Sequence, residues 1–378
     1  MKKILTLGLT LSSVFLFSAC NNKKQIKDLG IIHEEEFGGV YIKKTIEDFN
    51  NYGFNYGDSV DIKFSNGYKL VDQPYYNGYY VDANNSLLVG YPGYDYIKAA
   101  INYGDDLFIV ANLKETDTAT ITLNKKGKYK NIQEACDIHY YDERSKYTTD
   151  SEFSNFREIN VGNIKDGILF RSASPCDNKH KRVAYTDKLI ENVHIDFIMN
   201  LADTREKIDK YITQYDLEHI APYFLSIYNQ NRCFITFGTL ESVDPIGLNM
   251  NYLSDDFRNK VSGGCKAILD SDGPILVHCL EGKDRTGFVC IVLEVLMSAT
   301  YEEIVDDYMK TYENYYGIVK GDPKYEIIKK RNVDAMLSFI CNGSDYTKGD
   351  LSSYAKGYLV NGGMTIDEVN SLIDILKK

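Results

Sequence analysis

The sequence predicts a small β-rich domain followed by a larger α/β domain whose mainly parallel sheet is flanked by helices. Three observations carry this. Over residues 38–147, apolar residues alternate with polar ones in short runs that end in turn residues, the period of half-buried strands. From about residue 152 the pattern becomes short apolar strands alternating with helical stretches, the mark of an α/β unit with parallel strands. Within that second region a buried-strand run, Pro274-Ile275-Leu276-Val277-His278, leads through Cys279-Leu280-Glu281-Gly282-Lys283-Asp284-Arg285-Thr286-Gly287 into an apolar helix. A chain of 378 residues with 44% hydrophobic content is long enough to bury two ordinary cores.

The N-terminal elements come first. Lys2-Lys3 followed by the apolar stretch 4–17 has the form of a secretory signal, since the stretch is too short to span a bilayer. Leu16-Phe17-Ser18-Ala19-Cys20 resembles a bacterial lipobox, with Phe17 where Leu is more usual. The resemblance implies a signal peptide over 1–19, lipidation of Cys20, and an exported protein held at the membrane by a lipid anchor. A plain signal peptide with a chance cysteine is the alternative, and it too places the mature protein outside the cytoplasm. Residues 20–37, with Lys23-Lys24 and Glu34-Glu35-Glu36, read as a polar tether.

The β-rich domain is expected over 38–149. Val60, Ile62 and Phe64 alternate with polar residues, as do Ala119, Ile121 and Leu123, and the runs end at Ser65-Asn66-Gly67 and Asn124-Lys125-Lys126-Gly127. One short helix is expected over 94–101. The tyrosines of 75–80 and 91–94 fit strand packing, with a carbohydrate platform as the alternative.

The α/β domain is expected over 150–378. Strands are expected at 167–171, 195–201, 248–250 and 275–277, and helices at 183–192, 255–269 and 286–297. The pairs Asp203/Glu206, Thr300/Glu303 and Thr365/Glu368 have the spacing of capping boxes and open three further helices.

Bulk properties narrow the chemistry. A net charge of −11 argues against general nucleic-acid affinity. Removing Cys20 leaves seven cysteines at irregular spacing. That is not a disulfide framework, although export is compatible with one or two bridges; at least one thiol stays free, with Cys279 the natural candidate. The six histidines show no paired metal-ligand spacing, and neither metal nor cofactor is expected. Gly282-Lys283 lacks the spacing of a nucleotide-binding loop. Asp270-Ser271-Asp272-Gly273 precedes a proline and reads as a turn.

The loop after 274–278 holds the chemistry. Hydrolysing a phosphate monoester needs an anion cradle, an in-line nucleophile and a proton for the leaving oxygen. A strand-to-helix turn supplies the cradle through converging N–H groups and a helix N-terminus. Cys279 sits at its base, where amides and dipole favour the thiolate. Arg285, five residues on, closes the loop so that its planar fork reaches two phosphate oxygens. Leu280, Glu281, Gly282 and Lys283 contribute the loop backbone, and Gly282 permits a positive φ or a close approach. Thr286 is placed to donate its hydroxyl to the thiolate. Lys283 is expected to add positive charge over the site, with a solvated surface lysine as the bland alternative. His278, on the strand side, is expected to brace the loop. Arg157 and Arg171 either position the site or merely pair with carboxylates.

The run His278-Cys279-x-x-Gly282-x-x-Arg285-Thr286 resembles the cysteine-dependent protein phosphatases. Gly282-Lys283-Asp284-Arg285-Thr286-Gly287 is similar to the bacterial IphP-type tyrosine/serine phosphatases, as are Phe156-Arg157-Glu158, Phe170-Arg171-Ser172 and Ile304-Val305-Asp306-Asp307-Tyr308. The resemblance covers about 150–340. It implies a protein tyrosine phosphatase-like fold, a phosphocysteine intermediate, and a phosphorylated protein or phosphoinositide as substrate. It also suggests Asp284 as general acid; an upstream loop aspartate such as Asp244 is the alternative. Where that group has Asp-Leu-Arg, this chain has Asn200-Leu201-Ala202-Asp203-Thr204-Arg205, which leaves the roles of Asp203 and Arg205 open. A protein-tyrosine phosphatase is the expected activity, with dual specificity as a variant of it. Phosphoinositide or inositol polyphosphate hydrolysis, or phospho-ligand binding without catalysis, are the alternatives.

Overall fold

Seven strands of the first unit close into a barrel, in the order β1-β2-β6-β5-β4-β3-β7. They are β1 (Gln25–His33), β2 (Val40–Ile42), β3 (Ser59–Phe64), β4 (Lys69–Tyr76), β5 (Ser86–Val89), β6 (Ile97–Ile101) and β7 (Thr118–Lys125). Closure leaves no unpaired sheet edge. The computed structural model describes residues 24–235 and 254–377, and the chain divides into two units between Tyr129 and Lys130. The leader, Cys20, Asp244 and the strand expected at 248–250 lie outside the described residues. Among the described residues no helix is long and apolar enough to cross a membrane.

Val60, Ile62 and Phe64 of β3 and Ala119 and Ile121 of β7 face the barrel core, as their alternation requires. Two expectations are corrected here. Residues 20–37 are not simply a tether, because Gln25–His33 forms β1 between β2 and β7. Its register shifts between Ile26 and Leu29, and such a bulge erases the period of two that betrays a strand. The helix expected over 94–101 is instead β6. Ile97, Lys98, Ala99 and Ala100 are all buried, so this strand shows no alternation either. Lys98 is tolerated there because its ammonium pairs with Glu34 and lies near the rings of Tyr41, Tyr79 and Tyr94. Tyr75 and Tyr76 are buried, in keeping with strand packing.

The second unit carries a five-stranded sheet in the order β11-β10-β12-β9-β8. Its strands are β8 (Arg157–Glu158), β9 (Leu169–Ser172), β10 (Phe197–Asn200), β11 (Cys233–Ile235) and β12 (Ile275–His278). All neighbours are parallel except β8, which runs antiparallel to β9. Helices cover the sheet, so β9, β10 and β12 are buried along their whole length. The carboxyl ends of the three central strands are level: His278 stands opposite Asn200 on one side and Ser172 on the other. Ligand sites of parallel sheets lie at this edge.

Local signals fix the helix starts. Thr300 and Glu303 form the reciprocal capping box of Tyr301–Tyr316, and Thr365 and Glu368 exchange the same two bonds ahead of Ile366–Lys377. The box expected at Asp203 is displaced by one residue. Thr204 caps Arg205–Gln214 by accepting from the Lys207 N–H, which leaves Asp203 buried. The unit boundary also falls earlier than the expected 149/150. Residues after Tyr129 belong with the sheet, where Tyr147, Phe153 and Tyr315 form an aromatic cluster with Tyr140 against it. The seven described cysteines are all buried, and none of them forms a disulfide.

Candidate active site

β12 ends at His278, the chain turns through 279–283, and the helix Asp284–Leu296 begins. The turn is shaped from outside by its carbonyls. His278 Nδ1–H donates to the Cys279 carbonyl at 3.2 Å, and Ser174 N–H to that of Leu280 at 3.0 Å. Tyr315 Oη–H holds the Glu281 carbonyl at 2.9 Å and Asn155 Nδ2 that of Gly282 at 3.0 Å. Arg171 Nη2 reaches the carbonyls of Gly282 at 2.9 Å and Lys283 at 3.3 Å. A trans peptide points each N–H opposite to the preceding C=O. Anchoring the carbonyls of 279–283 outward therefore turns the amides of 280–284 inward, toward one centre at the helix N-terminus. Gly282 is indispensable to this path. Its φ is +67°, and a Cβ there would lie 2.2 Å from the Ser172 carbonyl oxygen.

Cys279 lies at the base of the turn, only 3% exposed. Arg285 Nη1 donates to the Leu201 carbonyl just beyond β10 at 3.1 Å, which fixes the plane of the guanidinium while leaving further N–H groups for an anion. Thr286 is fully buried in the first helical turn and its hydroxyl has no protein partner. His278 is fully buried, and burial, reinforced by the Arg285 charge, depresses its pKa to about 4. It is therefore a neutral imidazole that braces the loop through Nδ1–H.

Behind the loop stands a buried charge network. Asp307 receives Arg157 Nε at 2.7 Å on one oxygen and Arg171 Nη1 on the other. Burial opposes its ionisation, but the two guanidinium groups outweigh burial and hold its carboxyl far below the usual carboxylate range. Glu294, also buried beside it, has its pKa pushed well up by burial and by the Asp307 charge. Arg157 Nη1 further holds Asn155 Oδ1 at 2.7 Å, which aims the Asn155 amide at the loop. Arg171 and Arg157 thus pair with a carboxylate and position the loop through the same contacts.

Lys283 departs from expectation. It is 3% exposed and stands neither in solvent nor as free charge over the site. Its Nζ lies 3.4 Å from Glu281 Oε2, 3.7 Å from Asp284 Oδ2 and 3.2 Å from Tyr316 Oη. Burial alone would depress its pKa; the facing Asp284, Tyr316 and Glu281 outweigh burial and raise it well above the ordinary lysine value. The Tyr312 and Tyr316 rings shelter the ammonium, which draws the side chain under the loop.

Asp284, the first residue of its helix, is buried at the loop rim. A second carboxyl, whose role the sequence left open, lies at the same edge. Asp203 is 3% exposed, and burial raises its pKa to about 6, aided by Asp177 and opposed by Lys207 and Arg285. Its oxygens face Tyr211 Oη at 3.4 Å and the Cys176 thiol at 3.8 Å. The departure from Asp-Leu-Arg at Asn200-Leu201-Ala202-Asp203 is the signal that marked it in the sequence. Arg205 turns away and lies over the Tyr228 ring. Asn155 and Tyr315 were invisible in the sequence, because each reaches the loop across a large separation. Among the described residues no cluster of side chains could hold a metal ion.

A buried thiol at the base of a ring of inward amides, with an arginine fixed beside it, at the carboxyl edge of a parallel sheet, defines a cysteine-based phosphatase with a protein tyrosine phosphatase-like fold. The chain belongs to the tyrosine phosphatase family, whose model matches residues 151–343. Among solved structures it is similar to the core catalytic domain of the PP-IP phosphatase SIW14 from S. cerevisiae in complex with citrate. Identity there is 18%, over 48% of this chain and 88% of that one, with a TM-score of 0.27. No curated protein matches the sequence.

Proposed function

We propose that the chain hydrolyses phosphotyrosine in proteins through a phosphocysteine intermediate on Cys279. The thiolate of Cys279 attacks phosphorus, forming the S–P bond as the ester P–O bond breaks, while Asp284 gives its proton to the leaving phenolic oxygen. Arg285 and the amides of 280–284 hold the three remaining oxygens throughout. Water then attacks phosphorus, the Asp284 carboxylate takes its proton, and Thr286 donates to the departing thiolate, releasing phosphate and restoring the enzyme.

The observation that carries the substrate choice is the charge balance of the loop. Glu281 and Asp284 flank the buried Lys283 ammonium, so the loop side chains other than Arg285 add no net positive charge. That suits one phosphate on a neutral body better than an inositol carrying many. Side-by-side turnover of a phosphotyrosine peptide, a phosphoserine peptide, a phosphoinositide and an inositol polyphosphate tests this. The phosphotyrosine peptide should have the highest kcat/KM; preference for an inositol phosphate would reverse the assignment. Turnover by Asp284→Asn and Asp203→Asn, compared on the same peptide, separates the two candidate acids. The lipobox at Cys20 supports an exported, lipid-anchored enzyme, and the mass of the mature N-terminus tests that.

A further inference from the structure

We infer that Glu281 is a positioning residue for the general acid, acting on Asp284 through the Lys283 ammonium that both carboxylates share, and that Tyr140 holds Glu281 in place. This rests on the reading of Asp284 as proton donor. One Nζ lies 3.4 Å from Glu281 and 3.7 Å from Asp284, on a side chain only 4% exposed. With water excluded, such charges are little screened. How strongly Lys283 draws on Asp284 therefore depends on how much of its charge Glu281 takes up.

Glu281 is itself fixed. Its other oxygen accepts the Tyr140 hydroxyl at 2.8 Å. Burial works against its ionisation, but Lys283 and the Tyr140 bond outweigh burial and keep its pKa below the ordinary glutamate value. Tyr140 lies against the Tyr315 ring at 5.2 Å and the Arg182 guanidinium at 4.7 Å, and its hydroxyl is 3.3 Å from His180 Nε2. His180 in turn faces Asp142. Tyr140 precedes the family match at residue 151, so this support comes from the segment that leads into the family domain. Other groups also lie around Asp284. Tyr308, Tyr312 and Tyr316 on Tyr301–Tyr316 are kept neutral, burial raising their pKa values. Arg171 of β9 is committed to Asp307 and the loop carbonyls, and Arg285 is tied to Leu201.

The test is the pH dependence of kcat on a phosphotyrosine peptide, whose phenolate leaving group needs a proton. Asp284→Asn should lose the basic limb of the profile. Glu281→Gln removes a negative charge and leaves Lys283 to act on Asp284 alone, so the basic limb should move to lower pH by about one unit. Tyr140→Phe leaves Glu281 only Lys283 as partner, so the limb should move the other way by about a few tenths of a unit. Glu281→Asp, which keeps the charge, should restore the wild-type profile. A loop that is merely loosened would lower kcat in all variants without moving the limb. If Asp284→Asn keeps its basic limb, the assignment of the acid fails. If that limb is lost but Glu281→Gln leaves the profile in place, the acid stands and the present inference is wrong. Should Glu281→Gln not fold, the shift in Tyr140→Phe decides alone.

Discussion

The barrel and the phosphatase unit treat buried polarity in opposite ways. In the barrel, each buried charge has an opposite partner: Lys98 pairs with Glu34, and Asp58 with the half-exposed Lys126. No described barrel residue leaves a buried side-chain nitrogen or oxygen without a partner, whereas such atoms gather in the second unit and include the Thr286 hydroxyl, His278 Nε2 and Arg285 Nε at the loop. Unpaired buried polar groups are costly and mark places where something other than folding set the residue choice. The contrast extends to the backbone. The loop's carbonyls are satisfied from behind, which turns its amides to the front. Stability is concentrated on one face of the loop and chemistry on the other.

The sharpest way to break this contrast is Cys279→Ser, which touches only the chemical face. Turnover of a phosphotyrosine peptide should vanish while thermal unfolding stays near wild type. Next comes Gly282→Ala, which strikes both faces. The added Cβ meets the Ser172 carbonyl at 2.2 Å in a positive-φ residue, so unfolding free energy should fall by about 2–4 kcal/mol and activity should be lost with it. Denaturant melts at neutral pH measure the first. Arg171→Met attacks the rear face alone. It leaves the Asp307 carboxylate with one guanidinium instead of two, and melts should show a loss of about 3–5 kcal/mol. A well-folded Arg171→Met with wild-type kcat would show that the carbonyl anchors are dispensable.

A gentler probe uses Asp203. Its folded pKa of about 6 stands above the ordinary aspartate value of about 4, so the folded state binds the proton more tightly. That contribution is fully present below about pH 4 and is lost as pH rises through about 6. Asp203→Asn removes this dependence and should gain on wild type between about pH 4.5 and about pH 7.5, by on the order of 2 kcal/mol. Parallel stability curves would contradict the burial argument. The smallest effect is expected from Lys98→Met in the barrel, which leaves Glu34 without its partner. It should lower barrel stability by about 1–3 kcal/mol without changing kcat/KM in the second unit.

What the sequence revealed tracks how local each signal is. The strand-to-helix layout around Cys279, the need for glycine at 282 and the Thr300/Glu303 box are set by neighbours within a few residues, and all could be read. β1 and β6 were hidden for physical reasons: a bulge broke one pattern, and burial of Lys98 and two alanines on both faces erased the other. The supports of the loop come from Ser174, Arg171 and Asn155 on the N-terminal side and from Tyr315 beyond it. Nothing in one-dimensional spacing brings those four together. Lys283 was expected to add charge over the site, but Glu281, Asp284 and the Tyr312 and Tyr316 rings hold it under the loop, a placement no local spacing shows.

In the proposed mechanism, phosphate passes through sulfur at the base of the loop. Acid quenching during turnover of a phosphotyrosine peptide, followed by peptide mapping, tests this directly, with Asp284→Asn included to alter the balance of formation and breakdown. Phosphate bound covalently to the peptide containing Cys279, and absent in Cys279→Ser, is the predicted result. Steady turnover without any phosphoenzyme, or turnover that persists in Cys279→Ser, would contradict it.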